Sequence, residues 1–120
     1  MRIGDLATKA QVSVRALRYY EEQGLLASTR SDSGQRHYGD KAVNRVQLIQ
    51  QLYAAGLSSK TIAELLPCVD AGVSTPESRE RLLAERDRIN TQIADLILTR
   101  DRLNEIIDVT SRPNPQCDYV

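Results

Sequence analysis

The chain has 120 residues, no Phe and no Trp, and 16 Lys/Arg against 16 Asp/Glu. That length allows one domain, or a small domain with an appended helix, and a core of Leu, Ile, Val, Ala and some Tyr is thin for an enzyme with an enclosed pocket. No run nears the ~18 apolar residues of a membrane span, and the opening MRIGDLATKA lacks the apolar core of a signal peptide, so a cytoplasmic protein is expected.

The zero net charge hides a division. Residues 1–62 carry nine Lys/Arg and five Asp/Glu, a net of +4, and residues 63–120 carry seven and eleven, a net of −4. The first half is therefore the one suited to meet phosphate.

Taken in order, the pattern predicts a first helix over Gly4 to Lys9 with Ile3, Leu6 and Ala7 on its buried side. Ala10-Gln11-Val12 is a tight turn, and Ser13 caps a second helix over Val14 to Gln23 by accepting from the amide of Arg15 or Ala16. Leu17 faces inward, and Arg15, Arg18 and Tyr19 lie near the first turns. Gly24 supplies a left-handed stop, and Leu25 folds back on the helix end. The pair reads as a helix-turn-helix, although any small helical bundle can contain one.

Thr29-Arg30, the turn-former Ser31-Asp32-Ser33-Gly34 and Gln35 to Tyr38 then form a hairpin with a basic residue on each arm. A helix bearing Arg and Tyr, followed at once by a basic hairpin, suits a duplex. The helix would enter the major groove and the hairpin would lie along the backbone.

Asp40 is expected to cap a third helix, which runs to about Ala55 and stops at Gly56. Val43, Val46, Leu48, Ile49, Leu52 and Tyr53 form its core stripe. Ser58 or Ser59 caps a fourth, Lys60 to Leu66, closed by Pro67. Its N-terminus, with Lys60, offers a phosphate clamp. Cys68 to Ser74 read as a linker.

Thr75-Pro76-Glu77 starts a helix strongly: a cap, Pro at the first position and an acid at the positive dipole end. No Gly or Pro follows until Pro113, so the helix runs for roughly 35 residues, about 50 Å. Leu82, Ile89, Leu96 and Leu103 recur every seven residues, and Arg86, Ile93, Arg100 and Ile107 alternate at the other seam position. One helix cannot bury this stripe alone, and a homodimer is expected, with the seam arginines helping to fix register.

With I-G-D-L-A at 3–7, V-R-A-L-R-Y-Y-E-E-Q-G-L-L at 14–26, R-H-Y at 36–38, A-A-G-L-S at 54–58 and the Thr-Pro-started long helix, the chain resembles the MerR-family transcription regulators. The resemblance covers residues 1 to about 110. It implies a mainly α fold: a winged helix-turn-helix domain over residues 1–70 with a small β-hairpin wing and a second, helical wing. An antiparallel coiled-coil dimerisation helix over 75–112 and a short tail over 113–120 would follow.

Carried over by position, Arg15, Arg18 and Tyr19 would face bases and phosphates in the major groove. Tyr20 and Arg36 would hold backbone phosphates, Tyr38 would pack or donate nearby, and Lys60 would belong to the second wing. Gln35 departs from the family, which usually shows an aromatic at the wing tip. Such regulators bind an overlong promoter spacer and bend and untwist it so that RNA polymerase can engage both promoter elements. The additional protein–DNA interactions that bent DNA permits offset a bending cost of about 1–6 kcal/mol. Repression and activation would be two conformations of one bound dimer.

Two cysteines define no disulfide framework in a cytosolic chain and read as thiols. The family's metal sensors place one thiol at the start of the dimer helix and a pair after it. Here that start has Ser74, Thr75 and Ser78, while Cys68 and Cys117 stand alone. One thiol per site is too few for a soft-metal cage within one chain. An intersubunit site, with Asp118, Asp70 or His37 as further ligands, or a thiol-reactive effector, stays open beside an ordinary apolar Cys68 and a loose tail at Cys117. The lack of a C-x-x-C loop disfavours an iron–sulfur sensor, and the short tail leaves no room for a drug-binding domain. His37, between Arg36 and Tyr38, reads as a phosphate-side residue rather than a catalyst.

The leading expectation is a dimeric, sequence-specific regulator that binds promoter DNA. An architectural DNA-binding protein of the same fold, acting without effector, is the alternative, and a coiled-coil adaptor is a third. No catalytic constellation is present, so an enzyme is not expected.

Overall fold

Among residues 1–111, which the computed structural model describes, helix α1 spans Ile3–Ala10 and α2 spans Val14–Glu22. At the start of α1 the Arg2 amide donates to Asp5 Oδ2 at 3.2 Å, which lets the helix begin one residue before Gly4. Gln11 ends it in the left-handed region at φ 58°, and the Val12 amide returns to the Ala7 carbonyl at 3.0 Å. Ser13 caps α2 by accepting from the Ala16 amide at 3.0 Å. Gly24 takes φ 74°, and the Leu25 amide closes on the Tyr20 carbonyl at 2.9 Å, so Leu25 is buried against the helix end.

Strands β1 (Thr29–Arg30) and β2 (Arg36–His37) form the antiparallel hairpin, with Thr29 opposite His37 and Arg30 opposite Arg36. Gly34, at φ 82°, completes its turn, where the Gly34 amide donates to the Ser31 carbonyl at 2.8 Å.

Helix α3 is Ala42–Ala54. The expected Asp40 cap does not form. The Ala42 amide pairs with the Gly39 carbonyl at 3.1 Å, Lys41 is already in the helical region, and the cap position has no side-chain bond. The chain enters the helix through a turn, and Asp40 stays exposed.

Helix α4 is Ser59–Ala71, capped by Ser58 through the Thr61 amide at 3.1 Å. It runs through Pro67 rather than closing there, so Cys68 to Ala71 are helical and not linker. A proline deletes one interior hydrogen bond, and tertiary contacts outweigh that loss here. Leu65 and Leu66 are buried on one side of the proline, and Asp70 beyond it is paired with Arg45 of α3. Gly72 then stops the helix at φ 69°, its amide 2.9 Å from the Cys68 carbonyl.

The core joins the four helices, and Tyr38 after β2 ties the hairpin to it. Leu6, Leu17, Val46, Ile49 and Ile62 are fully buried, one or two from each of α1 to α4, and each contributes about 1.5–3 kcal/mol. Tyr20 stacks on Tyr53 with ring centroids 5.8 Å apart, filling space that Phe or Trp would occupy elsewhere.

Two units divide the chain, Met1–Arg79 and a second that starts at Glu80. Helix α5 spans Pro76–Thr110, and Thr75 caps it by accepting from the Ser78 amide at 3.2 Å. None of its residues is buried in the single chain. No helix among the described residues is long and apolar enough to cross a membrane.

Candidate nucleic-acid interface

One face of α2 is free of the core. Positions 15, 18, 19 and 22 follow the helical spacing of a single stripe, and Arg15, Arg18, Tyr19 and Glu22 are all exposed on it. Leu17 and Tyr20 lie on the opposite side and are buried. Neither Arg15 nor Arg18 has an acidic partner among the described residues.

Tyr19 is steered from a distance. Its hydroxyl lies 3.4 Å from Ser59 Oγ, and Ser59 Oγ also hydrogen-bonds the Tyr53 hydroxyl. The exposed side of α2 is thereby tied to the first residue of α4, next to exposed Lys60. Sequence spacing does not reveal Ser59 in this role, because its partners stand 40 and 6 positions away.

Tyr20 has its ring in the core. Burial raises its pKa above 10.0, and neighbouring Tyr53 adds to the rise, so the hydroxyl remains a donor through the ordinary pH range. Tyr38 is buried more deeply. Its hydroxyl donates to Glu21 Oε1, and burial followed by the Glu21 hydrogen bond and charge pushes its pKa up to about 12.

Glu21 is the residue that joins α2 to the hairpin. Besides accepting from Tyr38, it pairs with Arg36, with Nη1 3.2 Å from Oε2. The Arg36 side chain is still 42% exposed, so the guanidinium is oriented without being covered. Arg30, opposite it on β1, donates to the Gly34 carbonyl at 3.1 Å. His37, paired with Thr29, is half-buried between Arg36 and Tyr38. The R-Y-Y-E-E motif contains Glu21, but the pairing depends on the fold bringing 21 beside 36 and 38.

The backbone before α1 closes against the same place. The Met1 amino nitrogen donates to the Tyr38 carbonyl at 2.9 Å, and the Tyr38 amide donates to the Met1 carbonyl at 2.7 Å. Arg2 follows immediately. A cleft of about 430 Å³ results, lined by Arg2, Ile3, Arg18, Arg30, Gln35 and Arg36.

Cys68 is half-buried in α4 as a free thiol. Among the described residues no three His, Cys, Asp or Glu side chains gather as a metal would require. Cys117, Asp118 and the tail over 113–120 lie outside the described residues.

On α5, the seam residues Leu82, Ile93, Leu96, Leu103 and Ile107 are all exposed, Leu96 at 68%, and Ile89 is half-buried. The seam arginines share one arrangement two heptads apart. Arg86 pairs with Asp87 at 3.1 Å and Arg100 with Asp101 at 3.0 Å, inside the echoing stretches Arg86-Asp87-Arg88-Ile89-Asn90 and Arg100-Asp101-Arg102-Leu103-Asn104. Each seam arginine thus makes an exposed ion pair with its own neighbour. Ile97, Leu98, Ile106 and Val109 are further exposed apolar positions that the seven-residue pattern did not single out.

Residues 1–67 match the family described as MerR HTH family regulatory protein, and residues 43–106 match MerR, DNA binding. The chain is 38% identical over 106 residues to the nodulation protein NolA of Bradyrhizobium elkanii, covering 88% of this chain and 46% of that protein. It spans less than half the length of the NolA proteins it matches. It is 31% identical to the HTH-type transcriptional regulator CueR of Salmonella typhimurium, over 86% of this chain and 76% of that protein. Among solved structures, a MerR family transcriptional regulator from Listeria monocytogenes superposes with a TM-score of 0.78 at 31% identity, covering 90% and 83% of the two chains. HiNmlR, a MerR family regulator lacking the sensor domain and bound to promoter DNA, superposes with a TM-score of 0.75 at 30% identity, covering 89% and 86%.

Proposed function

The chain belongs to the MerR family of DNA-binding transcription regulators, which are not enzymes, and from that premise we propose that it binds promoter DNA as a homodimer with sequence specificity. The observation that carries the reading is the exposed stripe of Arg15, Arg18 and Tyr19 on α2, with Arg36 held beside it through Glu21. In this reading the α2 stripe enters the major groove. Arg36 and the hydroxyl of Tyr20 hold backbone phosphate, Tyr38 fixes the hairpin, and Lys60 at the start of α4 takes a phosphate from the second wing. HiNmlR, similar in fold and sequence over most of its length, is bound to promoter DNA.

The dimer reading rests on α5. In an antiparallel pair each Ile or Arg seam position faces a Leu or Ile position of the other chain. Leu96 then packs on the partner's Ile93 at the middle of the seam. Two DNA-binding units joined in one dimer read two half-sites, and a dimer that bends and untwists the promoter spacer carrying them lets RNA polymerase engage both promoter elements. A switch by an effector, through a soft metal or a thiol-reactive compound at Cys68 and Cys117, extends the same reading.

The test is a footprint of the purified protein on the DNA upstream of its own gene, at two salt concentrations and with random DNA as competitor. A protected palindrome between promoter elements is the expected result. Diffuse protection that disappears with salt would replace the regulator by an architectural DNA-binding protein of the same fold.

A further inference from the structure

We propose that the cleft framed by Arg2, Arg18, Arg30 and Arg36 is a seat for one backbone phosphate of the bound duplex, and that Arg2 is a DNA contact lying outside the helix-turn-helix motif. The proposal deepens the promoter-binding reading and rests on it. Four guanidinium groups come from three separate parts of the chain: the residue before α1, the exposed stripe of α2, and the two facing arms of the hairpin. They line about 430 Å³ of open space together with Ile3 and Gln35.

No carboxylate lines the cleft itself, although Glu21 and Glu22 meet Arg18 and Arg36 in a neighbouring hollow. Of the four, Arg36 has an ion pair, with Glu21, and Arg30 has a carbonyl acceptor at Gly34. Asp5 lies near Arg2, but it accepts from the Arg2 amide rather than balancing a hairpin arginine. Gathering like charges raises the energy of the empty cleft, and an entering anion removes that repulsion while gaining charge-assisted hydrogen bonds. Arginine forks suit phosphate oxygens, and a guanidinium does not lose its proton to escape the repulsion.

The scaffold explains why Arg2 belongs to the cleft. Met1 is zipped to Tyr38 by two backbone hydrogen bonds, which lays the first residues along the end of the hairpin. Tyr38 in turn holds Glu21, and Glu21 orients Arg36. The same short network therefore sets the positions of Arg2 and Arg36. Gln35, at the place where an aromatic is usual at the wing tip, is a further cleft-lining side chain with an amide able to donate to the same phosphate.

The experiment uses the full chain and the promoter fragment defined by footprinting. Wild type, Arg2→Ala, Arg30→Ala and Lys9→Ala are titrated across salt on the native duplex and on duplexes carrying a neutral methylphosphonate at each position in turn. Each substitution is carried by both protomers, so Arg2→Ala and Arg30→Ala should each lower the salt slope of the dimer by up to about 2, and the affinity lost between about 50 and 200 mM salt shrinks by as much as roughly sixteenfold. Lys9→Ala, at the far end of α1, should not. One and the same methylphosphonate position should weaken wild type most and weaken each arginine variant less. An unchanged slope for Arg2→Ala, or a reduced methylphosphonate effect that falls at different positions for the two variants, overturns the shared seat while wild-type binding keeps the regulator reading intact. Failure of wild type to bind any promoter fragment would instead remove the premise.

Discussion

Tyr38, at the end of the hairpin, donates its hydroxyl hydrogen bond to Glu21 on α2, across 17 positions of sequence. This makes the spacing between helix and hairpin a property of one carboxylate, since Glu21 also holds Arg36. In the proposed interface, where the two elements reach different parts of a duplex, they are thus fixed to each other before DNA arrives, which would lower the ordering cost of binding.

Tyr38→Phe keeps the ring in the core and removes the donor. A hydrogen bond to a charged acceptor is worth about 1.5–3 kcal/mol, and this one is only partly buried, so a loss near 1.5 kcal/mol is expected in urea unfolding. The loss depends on pH in a definite direction. The Tyr38 proton is held more tightly in the folded chain, with a pKa of about 12, than in the unfolded one at 10.0. The stabilisation is therefore complete below pH 10 and fades as pH rises toward 12. A gap between wild type and Tyr38→Phe that stays constant from about pH 9 to pH 12 would contradict the Glu21 bond.

Arg18→Ala removes an exposed side chain from the α2 stripe and leaves the core alone, so the protein should fold and self-associate as before. Specific binding should weaken by about 1–3 kcal/mol if Arg18 turns to a base edge and makes two hydrogen bonds there, whereas service at the phosphate cleft beside Arg2 should weaken all sequences alike. Parallel titrations on operator and random DNA decide its role. A loss equal on both assigns Arg18 to phosphate; no loss on either takes it out of the interface.

What the sequence made legible was local. Ser13 and Thr75 each sit three residues before the amide they cap, Gly24 sits in the turn it makes, and all three behave in the structure as their residue types require. The long helix was legible because Pro and Gly are absent from it after its first residue and its Leu/Ile spacing repeats. The contributions of Arg2, Glu21 and Ser59 were not, because each depends on side chains from distant parts of the chain meeting in space. Asp40 and Pro67 misled for a related reason: a local preference lost to a turn in one case and to tertiary contacts in the other.

The case of Pro67 can be tested at Asp70. Asp70→Ala deletes the ion pair to Arg45 that holds the helical turn beyond the proline. The Asp70 carboxylate is 60% exposed, so global stability should fall by less than about 1 kcal/mol. Local behaviour should change more. Backbone amide exchange over Val69 to Gly72 should speed up while exchange in the core around Ile62 stays slow. Unchanged exchange at those four residues would mean that the Gly72 stop alone, and not Arg45, carries the helix past the proline.

Leu96→Asp tests the long helix as a dimer seam. Leu96 is 68% exposed in the single chain, so a monomer should tolerate aspartate there with little change in helix content. In the antiparallel pair the new carboxylate would lie against the partner's Ile93, desolvated by the apolar seam. Arg100, one turn further along the same face and also paired with Asp101, offsets only part of that cost. Sedimentation should therefore show a monomer. Operator affinity should fall toward that of a single half-site, while Leu98→Asp, off the seam, should stay dimeric and bind. If Leu96→Asp still sediments as a dimer, the seam does not run through this face, and the exposed residues Leu98, Ile106 and Val109 become the surface to examine.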